Sequence, residues 1–73
     1  MKKETGYCEI LGKKCYYEKS IHKTPRGGDY SVMYYLDDNL QGCDKSEATR
    51  FKIIEMTADG RILNTIISAR KSD

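Results

Sequence analysis

One seven-residue run constrains this chain more than any other: Tyr30-Ser31-Val32-Met33-Tyr34-Tyr35-Leu36. It holds no charge, no glycine and no proline. Aromatic and β-branched residues favour extended backbone. Read at period two, Tyr30, Val32, Tyr34 and Leu36 fall on one face, and Ser31, Met33 and Tyr35 on the other. Both faces are largely apolar, so the run is predicted to be a central strand with neighbours on either side. The chain has 73 residues from which to supply them. A domain this short hides only about 60% of the surface its unfolded chain exposes. The core must be compact.

The segments on either side read as hairpins. Tyr7 to Glu18 is two short runs rich in Tyr, Ile and Cys around a glycine. With Gly12-Lys13 as a two-residue type II′ loop, Leu11 faces Lys14, Ile10 faces Cys15, and Cys8 faces Tyr17. Cys8, Ile10, Cys15 and Tyr17 then share an apolar face. Tyr7, Glu9, Leu11, Lys14, Tyr16 and Glu18 share the mixed one. Further on, Arg50 to Thr57 runs into Asp59-Gly60 and returns as Arg61 to Ala69, and Asp-Gly between two such runs is a strong hairpin signal. A helix over 45–58 is the alternative: Ala48, Phe51, Ile54 and Ala58 form a stripe, and Gly60 closes it. That reading strands Ile53 and Met56 on the wrong side, so the hairpin is preferred. Asp37 to Ser46 is a polar, acidic connection, and Asp44 to Glu47 has the spacing of a capping box. Lys19 to Asp29 holds Pro25 and the Gly27-Gly28 pair, fits no period, and reads as a mobile loop. The predicted fold is mainly β: a small antiparallel meander or barrel-like sheet of about five strands, with an α+β arrangement carrying one helix near 45–58 as the alternative. Residues 1–73 form one domain, with 1–6 and 70–73 as flexible tails.

The chemistry-bearing residues are few. Cys8, Cys15, Cys43 and His22 supply the four soft ligands that a structural zinc site needs. Their spacing lacks the close Cys pairs of zinc knuckles, and the expectation is core thiols with no cofactor. In the register above Cys8 and Cys15 are diagonal neighbours, about 7–8 Å apart and too far for an unstrained bridge. Asp37-Asp38-Asn39-Leu40-Gln41-Gly42 matches the start of a calcium loop, but Ala48 stands where the bidentate Glu belongs. One histidine, no phosphate-cradling glycine loop and a small interior argue against an enzyme.

Charge is uneven. Residues 1–28 carry +4, residues 29–49 carry −4 and residues 50–73 carry +2, summing to the net +2. Lys19, His22, Lys23 and Arg26 cluster in the Lys19–Gly28 loop and are the expected contact surface, with Tyr16, Tyr34 and Tyr35 beside it. Recognition of a protein partner, as inhibitor, adaptor or subunit, is the first expectation, since paired strands leave edges and tyrosines make good anchors. Single-stranded nucleic acid is the alternative, because aromatic platforms beside cations bind it. A zinc-stapled domain is the third. Met1-Lys2-Lys3 is followed by no apolar run, and no stretch is long enough to span a membrane. The expected location is the cytoplasm, with reduced thiols.

Overall fold

A computed structural model describes residues 2–10 and 12–69, with Ile10 described by its backbone alone. Five strands follow one another: β1 (Lys2–Ile10), β2 (Lys13–Ile21), β3 (Tyr30–Leu36), β4 (Arg50–Met56) and β5 (Ile62–Ala69). Each pairs antiparallel with the next, giving one sheet in the order β1-β2-β3-β4-β5. This is the meander the sequence implies, with the Tyr30–Leu36 run at its centre. The sheet stays open rather than closing into a barrel, so β1 and β5 are edges. No helix among the described residues is long and apolar enough to cross a membrane.

The 45–58 segment turns helical only for one 3₁₀ turn at Lys45–Glu47. The Asp44 side chain does not cap it, so the capping-box spacing is not used. From Arg50 the chain is extended. Alternation there sends Phe51, Ile53 and Glu55 to one face and Lys52, Ile54 and Met56 to the other, which resolves the conflict that a helix would have left. Gly60 closes the following turn at φ +91°, a conformation glycine adopts without a Cβ penalty. A register shift between Glu55 and Met56 leaves Leu63 as the extra residue at the start of β5.

Three expectations are corrected. Lys13 is not in the first turn but in β2: Ile10 pairs with Lys13 and Cys8 directly opposes Cys15. Gly12, just before β2, has φ +76°. The two cysteines are therefore direct neighbours, and both are free thiols. Residues 2–6 are not a tail but the first half of β1, paired to Tyr17–Ile21; residues 70–73 lie outside the described residues. Finally, the Lys19–Asp29 loop is shorter than expected. Lys19 to Ile21 extend β2, and the remainder is closed by hydrogen bonds. Gly28 N–H donates to the Thr24 hydroxyl (2.8 Å), Thr24 N–H to the Gly28 carbonyl (3.1 Å), and Asp29 N–H to the Met56 carbonyl (2.8 Å). A Cβ on Gly28 would stand 2.6 Å from the Thr24 hydroxyl and 2.9 Å from the Met56 carbonyl.

The core is small: Cys15, Val32 and Leu36 are buried on one face of the sheet, and Tyr35, Cys43 and Ala48 cluster on the other. An aromatic ladder crosses that face from strand to strand. Tyr7 meets Tyr16 (centroids 5.3 Å apart), Tyr16 meets Tyr35 (5.2 Å), and Tyr35 meets Phe51 (6.3 Å). The β3–β4 connection folds over it, placing Cys43 and Ala48 against Tyr35. Cys43 also enters the sheet where β2 and β3 diverge, accepting from Tyr16 N–H and donating to the Tyr35 carbonyl. Cys15 and Cys43 are the most deeply buried side chains, at 1% and 0% exposure. Burial pushes the Cys43 thiol up.

Buried beside the ladder, Glu18 accepts from the Lys3 ammonium (2.9 Å) and the Tyr35 hydroxyl (3.0 Å). Hydrogen bonding to Lys3 first, and to Tyr35 after it, holds Glu18 below the usual carboxylate range. Asp29 is lowered by Lys23, Asp37 by the Gln41 N–H and Lys13, and Asp59 by the Thr57 hydroxyl. A carboxylate whose pKa falls on folding stabilises the native state above its unfolded pKa, near 4, and stops doing so as pH drops through its folded value. The thermal midpoint should therefore be level near neutrality and decline as pH falls below about 4. Glu18→Gln should flatten part of that decline. A midpoint unchanged down to the acid limit would contradict these contacts.

Candidate functional site

Both long connections reach the Tyr35 face. The first loop sends Arg26 to Glu55 on that side (3.3 Å), and the second packs Cys43 and Ala48 there. The opposite, open face buries Cys15, Val32 and Leu36 at its base and leaves the tyrosines and lysines around them partly exposed. Alternation places on it Cys8 from β1, Tyr17 and Lys19 from β2, Tyr30, Val32, Tyr34 and Leu36 from β3, and Lys52, Ile54 and Met56 from β4.

This face has two adjoining hollows with the Tyr34 ring between them. One, of about 400 Å³, is walled by Tyr34, Leu36, Leu40, Lys13 and Lys52. The other, of about 250 Å³, is walled by Tyr17, Tyr30, Tyr34, Lys19 and Cys8, with Val32 in its floor. Tyr17 and Tyr34 are cross-strand partners with ring centroids 6.3 Å apart. Room for Tyr17 comes from the glycine opposite it: a Cβ on Gly6 would lie 2.9 Å from the Tyr17 hydroxyl oxygen. Burial pushes the Tyr34 phenol up, so it is neutral through the physiological range. Leu40, at the rim, is the one non-glycine residue with positive φ among the described residues (φ +62°) and is exposed. That backbone conformation is a local cost for a leucine, met by the turn's hydrogen bonds, in which Leu40 N–H donates to the Asp37 carbonyl (3.0 Å) and Gln41 N–H to the Asp37 carboxylate (3.0 Å).

The electrostatics of the two faces differ. Lys2, Lys13, Lys19, Arg50 and Lys52 hold strand positions on the open face, with Glu4 as the one strand carboxylate among them. The buried carboxylates Glu18 and Glu55 are on the other side. Lys13 reaches Asp37 (3.0 Å) and Lys2 reaches Glu4 (3.8 Å). Lys19 and Lys52 have no carboxylate partner among the described residues. The Lys19 ammonium instead stands 4.6 Å from the Tyr30 centroid, a cation–π contact.

The residues singled out in the sequence are split by the fold. Lys19 and Tyr34 belong to the open face. Tyr16 and Tyr35 are rungs of the aromatic ladder on the other side, and Tyr35 is buried. Lys23 pairs with Asp29 (2.8 Å), Arg26 with Glu55, and His22 Nδ1 lies 3.0 Å from the Lys23 carbonyl. The loop's cations therefore answer the chain's own acids. Lys52, Tyr17 and Tyr30 were not singled out, yet the alternation that groups Tyr34 with Tyr30, and Cys8 with Tyr17, already carried the signal for the two tyrosines. Cys8, Cys15, Cys43 and His22 do not gather: His22 lies past the far end of β2 from Cys15. No group of three or more His, Cys, Asp or Glu side chains suited to a metal forms among the described residues. In the calcium-like loop, Asp37 is occupied by the N–H groups of Asn39 and Gln41 and by Lys13.

Comparison with known proteins finds no matching family model and no significant match among curated proteins or solved structures.

Proposed function

We propose that the protein is a non-catalytic binding module whose open sheet face takes single-stranded nucleic acid. One observation carries the reading: Tyr17, Tyr30 and Tyr34 share a cation-rich face with Lys19 and Lys52, all partly exposed, while the buried carboxylates are on the other. Every base offers a π-face, so aromatic platforms beside a cationic track bind single strands with little sequence preference. A face carried by paired strands also holds those rings in place before any ligand arrives. The three free thiols fit a reducing, cytoplasmic setting.

The test is fluorescence anisotropy with labelled single-stranded DNA and RNA over a salt series. Each phosphate neutralised on a single strand adds about 0.7 to the slope of log affinity against log salt. Replacing Lys19 and Lys52 together with Gln should reduce that slope by about 1.4, if each meets one phosphate. The same change at Lys23 and Arg26 should leave it nearly unchanged, because those two are already paired. Absence of binding at low salt, where attraction is strongest, would overturn the reading.

Recognition of a protein partner is the second reading. What favours it is the aliphatic wall that Leu36 and Leu40 give the larger hollow. A hollow of that kind suits a side-chain anchor from an acidic polypeptide as well as a base. Such a partner would bind with a shallower salt dependence and would be lost on Leu40→Ser.

A further inference from the structure

The two edges of the sheet are built differently. β1 carries Lys2, Lys3, Glu4 and Glu9, and charge along an edge strand discourages pairing with another chain. β5 carries Ile62-Leu63-Asn64-Thr65-Ile66-Ile67-Ser68-Ala69, with no charge, no glycine and no proline. Among the other strands, only the central β3 shares that make-up. β5 thus has the composition of an interior strand while lying at an edge. Ile62, Ile66 and Ile67 are exposed at 59%, 46% and 48%. They do not form one face: Ile66 pairs with Ile53 on the core side, and Ile67 with Lys52 on the open side. Apolar exposure on both faces, along a strand whose outer backbone groups have no sheet partner among the described residues, calls for another strand rather than a surface laid against one face.

We propose that β5 pairs antiparallel with β5 of a second copy of this chain. Antiparallel pairing about a twofold axis perpendicular to the sheet sets like faces side by side, so isoleucines from the two copies meet on both faces. A strand with no charge meets itself without repulsion, and it offers no charge by which to select a foreign strand. The product is a continuous sheet of twice five strands, in which the two open faces lie on the same side. The proposal rests on β5 alone and stands or falls separately from nucleic-acid binding.

Sedimentation velocity across a wide concentration range tests it, with hydrogen exchange on the same samples. The wild-type chain should reach a species of twice the 8.4 kDa chain mass. Amide protection should rise with concentration in Ile62–Ala69 and not in Lys2–Ile10. Ile67→Lys should weaken dimerisation by roughly tenfold or more, since it sets like charges near the axis and removes apolar contact. Thr65→Lys, at an exposed position, should do the same and serves if the first variant does not fold. A wild-type chain that stays monomeric throughout would overturn the proposal. So would dimers that persist in the folded variants, or concentration-dependent protection on β1 instead of β5.

Discussion

The Tyr35→Ala chain is expected to lose about 3–5 kcal/mol of stability, the usual range for truncating a buried aromatic. That approaches the whole stability of many small domains, about 5 kcal/mol at the low end. Tyr35 contacts Tyr16 on β2 and Phe51 on β4, so its ring ties the central strand to both neighbours. Cys43 and Ala48 of the overlying connection pack on it, and removing the ring would leave that connection over a void. A second cost comes from Glu18, a buried carboxylate that would lose one of its two hydrogen-bond donors. Tyr35→Phe separates the two effects. It keeps the packing and removes the hydroxyl, so it should cost about 1–3 kcal/mol. Denaturant melts followed by circular dichroism measure both. A Tyr35→Ala chain that melts like the wild type would show that the ladder is not the core.

The strands were legible because alternation survives even in a chain this polar. The register of the first hairpin was not legible, for a specific reason. Pairing Ile10 with Lys13 instead of Cys15 changes each residue's partner by two positions, which preserves the side of the sheet. Both registers put Cys8, Cys15 and Tyr17 on one face, so hydrophobic sorting does not distinguish them. Positive φ at Gly12 suits either register. Residues 2–6 read as a tail because Lys2, Lys3 and Glu4 show no apolar pattern, yet edge strands carry charge for good reason. The site was half visible. Tyr34 and Lys19 were found, but which face would stay open depends on where two irregular loops settle. That is decided by tertiary contacts such as Arg26 to Glu55 and Cys43 to Tyr35. The acids that neutralise Lys23 and Arg26 are likewise distant or unpatterned: Glu55 lies 29 residues from Arg26.

Adjacent in sequence, Tyr34 and Tyr35 point to opposite faces, and their substitutions should separate binding from folding. Tyr34→Ala is expected to weaken single-strand binding by about 1–3 kcal/mol, the range for losing one base-stacking ring. Its ring lies between the two hollows and beside Tyr17, so it is placed to contact bases on either side. Stability should change less than for Tyr35→Ala, since Tyr34 is half-buried where Tyr35 is buried. Stacking needs the ring and not the hydroxyl, so Tyr34→Phe should bind nearly as the wild type does. Equal losses in Ala and Phe variants would instead assign the contact to the hydroxyl as a hydrogen-bonding group. The slope of affinity against salt should be the same in Tyr34→Ala as in the wild type, because no phosphate contact is removed. That separates it from Lys19→Gln and Lys52→Gln, which should change the slope. If Tyr34→Ala binds oligonucleotides as tightly as the wild-type chain, the open face is not where single strands bind.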